Sequence, residues 1–382
     1  MPRLPWNSVS WPNSLFLVST LLLALTGVPL YVWRYGLDWF QAILFFAFFA
    51  ATGLSITVGY HRLFTHLTFK ARWPIRISTL VFGAAAFENS VLCWAADHRK
   101  HHKFVDQDDD PYDISKGFFH AHIGWILSKT AAETSFEGVT DLLQDRWVRW
   151  QHQWYLPIAL LASFVLPAML GWLWAGWAGA MGAFLMAGVA RVVLVHHMTF
   201  LINSWSHTWG RQPYSNRCTA RDNAFLAWLT FGEGYHNFHH AFQHDYRNGV
   251  KPWQFDPTKW AIWLLHKLGL ARQLRRVPNE TILLAEIAEQ QRQLAAKLGT
   301  RPAPVAEPIR RLLQAAQERL DHASAHWEQR RADYRLAAER RVEASREKLA
   351  ELRREFHQAA ERLRAAIQEW RDTHRLAQAQ LA

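Results

Sequence analysis

The chain has 382 residues, half of them apolar, with 21 tryptophans and a formal net charge of +11. Its two cysteines, Cys93 and Cys218, lie far apart, which excludes a disulfide framework or a zinc-ribbon pattern. Residues 280–382 carry 19 basic and 16 acidic residues, so the first 279 residues hold most of the excess charge and nearly all the aromatic residues.

Long apolar runs dominate the first part of the chain. Residues 14–33 and 39–60 each match the ~20 residues that cross a bilayer, and residues 155–195 are long enough for two more crossings. Buried core helices of a soluble protein are the alternative, but a soluble protein has difficulty burying four such runs. The first run starts too late for a cleaved signal peptide and lacks a small-residue cleavage site. We therefore predict four spans, over about 14–34, 39–60, 155–174 and 178–202.

The charges between these runs predict the orientation of the spans. The loops inside the two pairs, residues 34–38 and about 171–179, carry almost no charge. The N-terminus, residues 61–154 and residues 203–382 carry nearly all the lysine and arginine, which places them in the cytoplasm by the positive-inside rule. The sequence thus predicts an integral membrane protein with both termini cytoplasmic.

The last part of the chain has a different composition. We expect a membrane domain over 1–278, a linker with a short helix over 279–308, and one long charged helix over 309–382. Apolar residues recur there in steps of seven, with one step of eight: Leu313, Leu320, Trp327, Tyr334, Val342, Leu349, Phe356, Leu363 and Trp370. Steps of seven are the coiled-coil period. Three alternatives remain for this helix: self-association into a homo-oligomer or packing on another helix, a lone charged helix in solvent, and a binding arm for a redox partner. The balanced charge argues against nucleic acid.

Four histidine clusters fall on the predicted cytoplasmic side, at or just past the ends of spans. They are "HRLFTH" (His61, His66), "HRKHH" (His98, His101, His102), "NSWSH" (Asn203, His207) and "HNFHH" (His236, His239, His240). Residues at i, i+3 and i+4 share one face of a helix. We therefore expect each triplet to project from one face. His61 and His66, five residues apart, fit a helix end, with one residue on the last turn and one just past it.

Nine histidines in this spacing indicate a metal centre. Neutral imidazole is a common ligand of iron, copper, nickel and zinc. Nine nitrogens are too many for one ion, so two ions are the simplest interpretation. A structural zinc site is a poor alternative, because such sites use four ligands and often cysteine. Two redox metals could reduce O2 and attack an unactivated C–H bond, and the membrane position suggests an acyl chain in an apolar tunnel.

The motifs "HRLFTH", "HRKHHK", "NSWSHTWG" and "GEGYHNFHHAF" together resemble the membrane fatty-acid desaturases, specifically the Δ9 acyl-CoA (stearoyl-CoA) group and its bacterial relatives. The similarity covers roughly residues 12–270, and the likeness to bacterial relatives implies a location in a bacterial inner membrane. It implies an all-α membrane protein with four spans in two hairpins, and a cytosolic helical cap that holds a di-metal site. It also implies two iron ions, with zinc as a substitute in overexpressed protein. One iron would take His61, His66, His98, His102 and His239, and the other His101, His207, His236 and His240, with Asn203 acting through a water.

Family members use O2 and two electrons to insert a cis double bond into an acyl chain. Cytochrome b5 supplies the electrons in animal relatives. This sequence shows no haem-binding domain of its own, so we expect a separate donor: a ferredoxin, a rubredoxin or a cytochrome b5-like protein. The residues that match substrate positions of the family are Asn89, Trp94, Asp97, Lys129, Thr199 and Phe200. Ala96 replaces an arginine of the family and Ser128 a basic residue, which leaves acyl-CoA, acyl-lipid and acyl-carrier substrates open.

Two other functions remain open from the sequence. A related di-iron hydroxylase of lipids or alkanes needs the same iron, O2 and electrons, and differs in its product. A non-redox protein, either a zinc hydrolase or a membrane scaffold, would contain zinc alone. The form of "HRLFTH" with "EGYHNFHH" favours desaturation.

Overall fold

The computed structural model describes residues 9–128, 135–339 and 346–381. These residues are mostly helical, and the chain divides into two compact units, Met1–Arg276 and Val277–Ala382. The predicted helical membrane protein is confirmed at this level. In the first unit, strands β1 (Lys70–Ala71) and β2 (Ala271–Arg272) pair antiparallel.

The α-helices described in the first unit are α1 (Trp11–Tyr35), α2 (Trp39–Leu54), α3 (Trp73–Ala84), α4 (Val91–Phe104), α5 (Trp125–Leu127), α6 (Thr140–Leu143), α7 (Arg146–Gln153), α8 (Tyr155–Leu160), α9 (Leu166–Ala183), α10 (Arg191–Ser204), α11 (Ala224–Leu229), α12 (His236–Ala241) and α13 (Pro257–Lys267). Wider π-helical turns occupy Ser55–Thr65, His120–Gly124, Leu161–Val165 and Phe184–Ala190, and tighter 3₁₀ turns occupy Ile114–Lys116, Glu137–Val139 and Trp205–His207.

Three helical stretches are long and apolar enough to cross a membrane: Trp11–Tyr35, Trp39–Thr65 and Tyr155–His207. At ~1.5 Å per residue the third would extend about 80 Å, far beyond the ~30 Å of hydrocarbon in a bilayer. It is broken at Ala175 and Gly176, where φ is −143° and +61°. Beside the break, a Cβ added to Gly171 or Gly179 would collide with the carbonyl oxygen of the other glycine. The chain therefore turns back on itself within α9.

Polar contacts tie this turn to the first two helices. Asp38 caps α2 by accepting a hydrogen bond from the backbone of Gln41 at 2.8 Å. The Gln41 side chain donates to the Tyr31 hydroxyl at 2.5 Å, and that hydroxyl donates to the carbonyl of Ala178 at 2.9 Å. Buried donors in an apolar surrounding need such partners. The contacts hold the end of α1, the start of α2 and the turn within α9 against one another.

The second unit consists of α14 (Asn279–Gly299), α15 (Ala303–Glu339) and α16 (Arg346–Leu381). The prediction of a single helix over 309–382 is wrong. Arg319 lies 2.6 Å from Glu369, although a straight helix would separate the two by about 75 Å. The predicted linker over 279–308 also differs, because helix occupies all of it except residues 300–302.

The apolar residues at seven-residue steps pack within the chain. Leu320 and Trp327 of α15 form one cluster with Leu363 and Trp370 of α16 and with Ile287 of α14. A stripe of this period specifies a partner helix without stating whether the partner belongs to the same chain. The step of eight ends at Val342, which lies outside the described residues, between the two helices that pack together.

Candidate metal centre

The structure brings all nine predicted histidines together, although they come from distant parts of the chain. The π-helical end of α2 supplies His61 and His66, and α4 supplies three rings. The 3₁₀ turn after α10 supplies His207, and α12 supplies the remaining three. The nine members are His61, His66, His98, His101, His102, His207, His236, His239 and His240.

Their nitrogen atoms form two groups. In the first, one ring nitrogen from each of His61, His66, His98 and His239 lies within 4.8 Å of the others. Nε2 of His102 adds to this group, at 2.9 Å from Nε2 of His239 and 3.1 Å from Nε2 of His98.

The second group contains His101, His207, His236 and His240, whose nitrogens meet the same limit. The two groups are neighbours, because the rings of His102 and His240 stack with centroids 4.3 Å apart. Each group has the size and composition to hold one metal ion.

The winding of α2 explains how two histidines five residues apart serve one group. Helix α2 continues as a π-helix over Ser55–Thr65, and the backbone N–H of His66 donates to the carbonyl of His61 at 3.0 Å. A π-helix joins residue i to i+5, so this spacing brings both rings to one side. The helix ends at Thr65, with His66 as the following residue.

The outer nitrogens of several rings have acceptors that fix their orientation. Nδ1 of His101 is hydrogen-bonded to Asp110, at 2.9 Å from both carboxylate oxygens, and Nδ1 of His61 makes a charged contact with Glu233 at 2.9 Å. A ring that donates from Nδ1 leaves Nε2 unprotonated. The lone pairs of neighbouring Nε2 atoms then face one another, for example at 3.0 Å between His61 and His239. This donor set fits metal ions, because cations would turn the repulsion between lone pairs into coordination.

Hydroxyl groups contact two further rings. Nδ1 of His98 lies 3.2 Å from the Tyr112 hydroxyl, and Nδ1 of His207 lies 2.8 Å from Oγ1 of Thr219. The Thr219 hydroxyl donates in turn to Asp106 at 2.6 Å.

Burial keeps the rings neutral. Removal from water lowers the pKa of His98, His239 and His240 well below the usual range, and the neighbouring rings lower it further. A neutral ring is the form that binds a metal.

Glu233 belongs to a buried network that the sequence did not reveal. Burial alone would raise the pKa of its carboxyl, but Arg62 and His61 hold that pKa at about 2. Arg62 donates to Glu233 at 2.9 Å, to Asp256 at 3.1 Å and to the carbonyl of Tyr246 at 2.7 Å. A buried guanidinium that is bonded on every side is costly to disturb, because loss of one partner leaves a buried charge uncompensated.

A cavity of about 630 Å³ leads to the histidines. This volume lies within the range of about 300–1,000 Å³ for small-molecule sites. Apolar side chains form much of its wall, among them Phe16, Leu17, Ile56, Val195 and Ile202. His61, His98 and His236 also line it, so the cavity reaches both nitrogen groups.

Most of the predicted substrate residues line this cavity, as does the predicted metal-site residue Asn203. They are Asn89, Trp94, Asp97, Thr199, Phe200 and Asn203. Lys129 lies outside the described residues, and Ser128 lines the cavity.

Glu88 is a cavity residue that the sequence analysis missed. Its carboxylate accepts from the Thr199 hydroxyl at 2.7 Å and from the Trp94 indole N–H at 3.3 Å. Burial raises its pKa to about 7, against the opposing effect of these two donors. The sequence feature that could have indicated this residue is a single acidic side chain within the apolar stretch "AAAFENSVLCW".

Comparison with known proteins identifies the family of this chain. Residues 37–263 match the family described as "Fatty acid desaturase". The chain is 38% identical over 301 residues to "Acyl-CoA desaturase 1" of Saccharomyces cerevisiae, which covers 77% of this chain and 58% of the yeast protein. It is 40% identical over 242 residues to "Acyl-CoA desaturase 1" of Tachysurus fulvidraco, which covers 62% of this chain and 72% of the fish protein. For "Stearoyl-CoA desaturase" of Sus scrofa the identity is 36% over 242 residues, covering 62% and 67%.

The chain spans about three fifths of the length of its yeast relatives, since the match to a protein of Schizosaccharomyces pombe covers 59% of that protein. The family match nevertheless includes all nine histidines, since it covers the π-helical end of α2, helices α4 and α12, and the 3₁₀ turn after α10. The chain belongs to the fatty acid desaturase family.

Proposed function

We propose that this protein is a membrane acyl desaturase that inserts a cis double bond, at the Δ9 position, into a saturated acyl chain. The observation that carries the proposal is the meeting of two imidazole groups at one apolar cavity. The names of the relatives, acyl-CoA and stearoyl-CoA desaturases, support the reaction class and suggest acyl-CoA as the substrate.

The topology that we propose has four spans in two hairpins. The break at Ala175 and Gly176 supports two crossings within Tyr155–His207. The charge distribution supports cytoplasmic termini and a cytoplasmic metal site. We further propose that the membrane is a bacterial inner membrane.

We propose that the two nitrogen groups hold two iron ions. His61, His66, His98, His102 and His239 would hold one, and His101, His207, His236 and His240 the other, with Asn203 holding a water at the second. When bound, the irons would supply the reduction of O2 and the removal of hydrogen from an unactivated C–H bond. Overall, O2 takes two electrons from a donor, two hydrogens from the chain and two protons, and it leaves as two waters.

The side chains of the protein have three roles in this proposal. The apolar wall takes up the acyl chain and excludes water from the reacting carbons. The hydrogen bonds from Thr199 and Trp94 to Glu88 fix the wall where the cavity passes between α4 and α10. Asp110 and Glu233 hold His101 and His61 in the orientation that presents Nε2 to a metal.

The electron donor would be a separate ferredoxin, rubredoxin or cytochrome b5-like protein. Lys129 would contact the phosphates of the acyl carrier. Neither role alters the proposed chemistry, because both concern delivery to the site.

Expression in a host that lacks its own desaturase, followed by lipid analysis, tests the proposal. We expect an acyl product two hydrogens lighter than its precursor. An alcohol one oxygen heavier would instead identify a hydroxylase. No new product, from protein that is inserted in the membrane and contains iron, would contradict the proposal.

A further inference from the structure

Helix α13 has an outward face that is apolar. Trp260, Trp263 and Leu264 are 46%, 50% and 53% exposed, and their i, i+3 and i+4 spacing places them on one side. On the other side, Thr258 and Ile262 are fully buried in the first unit. A helix in contact with water on its outer side should be polar there.

The exposed surface continues beyond the helix. Trp253 is 79% exposed and Leu268 is 63% exposed, at either end of α13. We call Trp253, Trp260, Trp263, Leu264 and Leu268 the aromatic face. The segment Pro257–Lys267 contains no acidic residue, whereas it contains two lysines and a histidine. Apolar patches of this kind mark a surface that contacts a partner or a membrane.

Contacts with α2 show where the aromatic face lies. The hydroxyl of Thr258, in the first turn of α13, lies 2.7 Å from the hydroxyl of Thr57 and donates to the carbonyl of Phe231 at 2.8 Å. The Phe231 ring packs against Gly53, and its centroid lies 5.3 Å from that of Phe49. Helix α13 therefore begins beside the membrane-spanning helix.

The length of α2 then sets the depth of this contact. Thr57 comes 18 residues after Trp39, the first residue of the span. At ~1.5 Å per residue it lies about 27 Å along the helix, close to the ~30 Å thickness of the hydrocarbon core. The first turn of α13 therefore lies near the boundary between hydrocarbon and headgroups, at the end of α2 that carries His61.

We propose that the aromatic face of α13 lies in the headgroup boundary of the same bilayer, as an interfacial anchor for the histidine-rich end of the protein. Its partner is phospholipid, because the exposed side of α2 on the same span is itself apolar, with Ile43 and Phe46 59% and 65% exposed. Tryptophan is enriched at this depth, and lysine there reaches toward phosphate. The Lys267 ammonium lies 5.4 Å from the centroid of the Trp263 ring, so a positive charge lies beside the aromatic face.

Spin labels on the full protein in phosphatidylcholine nanodiscs test the inference, which does not depend on iron or on activity. Labels at Trp263→Cys and Leu264→Cys are compared with Phe46→Cys, on the exposed side of the span, and with Asp108→Cys, on an exposed loop. We expect the two α13 labels to collide more with dissolved O2 than with a water-soluble nickel complex, as the label at 46 does. Collision rates like those at 108 would show a face in water, available to a protein partner, and would overturn the proposal.

A second measurement avoids cysteine substitution. The double variant Trp260→Phe/Trp263→Phe keeps the apolar face and removes two fluorophores. In nanodiscs of brominated lipid, we expect the lipid-quenched share of the tryptophan emission to fall relative to the wild type. The emission per protein that aqueous iodide quenches should stay constant, so its share of the smaller total should rise slightly. A fall in the iodide-quenched share alone would contradict the inference.

Discussion

The two units of this chain bury different kinds of side chain. The first buries imidazoles, carboxylates and the guanidinium of Arg62 in a connected network around the cavity. The second buries leucine, tryptophan and alanine between α15 and α16, and most of its ion pairs lie on the surface. Buried polar groups are costly unless they are matched, so a fold retains them where chemistry needs them. The comparison indicates that reactivity resides in the first unit and that the second is held together mainly by packing.

Loss of a single imidazole should have the largest effect. We expect His239→Ala and His101→Ala, one from each nitrogen group, to abolish the unsaturated product and to lower the iron content below two ions per chain. Lipid analysis and the ratio of iron to protein measure the two effects. His322→Ala, an exposed histidine of α15, is the matched control and should change neither. Full activity in either of these two variants would contradict the conclusion that the histidines of the first unit carry the reaction.

Trp327→Ala tests the second unit. Trp327 is 1% exposed in the cluster between α15 and α16, so truncation should destabilise this unit by about 3–5 kcal/mol. Limited proteolysis of residues 277–382 measures the loss. Leu336→Ala, at a side chain that is 54% exposed, should change stability by only about 0.5 kcal/mol or less. Iron content should stay unchanged in both variants, and loss of iron from Trp327→Ala would show that the units are not independent.

Glu233→Gln examines the network around the histidines. The amide keeps the volume but removes the charge that faces His61 and Arg62. Loss of such an outer partner typically lowers metal affinity by about 10–100-fold. Competition with an iron chelator gives the affinity, and Glu351→Gln, an exposed carboxylate of α16, serves as the control. An unchanged affinity would mean that Glu233 does not orient His61.

The pH dependence of stability tests whether Glu88 has a raised pKa in the folded protein. Its pKa in the folded protein is about 7, above the ordinary value of 4.5, because burial disfavours the carboxylate. The folded state therefore holds this proton more tightly. Stability should fall as pH rises from about 4.5 to about 7, by at most about 1.4 kcal/mol per pH unit.

In the Glu88→Gln variant, this fall in stability with rising pH should disappear. Thermal unfolding of both proteins across this range measures the difference. Identical slopes would show that Glu88 carries no such proton.

The smallest effect is expected at the surface of the second unit. Arg319 and Glu369 are about half exposed, and exposed pairs contribute about 0–1 kcal/mol. Arg319→Ala should therefore shift the stability of this unit only slightly, as measured by the same proteolysis. A loss as large as that of Trp327→Ala would mean that charge pairing holds this unit together.

Local patterns in the sequence predicted the features that depend on neighbouring residues. The i, i+3, i+4 spacing placed His236, His239 and His240 on one face of α12, and apolar length predicted the spans. The contact of Arg62 with Glu233 joins residues 171 positions apart, and no local pattern specifies such a pair.

The steps of seven in α15 and α16 predicted a partner helix but not its identity, because the same apolar stripe fits a helix from the same chain or from another. The π-helical winding before His66 also escaped prediction, since single turns of this kind are rare and have no known sequence pattern.

The most direct test is to locate metal ions by anomalous scattering at the iron edge, in crystals of the full protein expressed with added iron. We predict two ions, one among the nitrogens of His61, His66, His98, His102 and His239, and one among those of His101, His207, His236 and His240. A single ion, or two ions bound away from these rings, would contradict it.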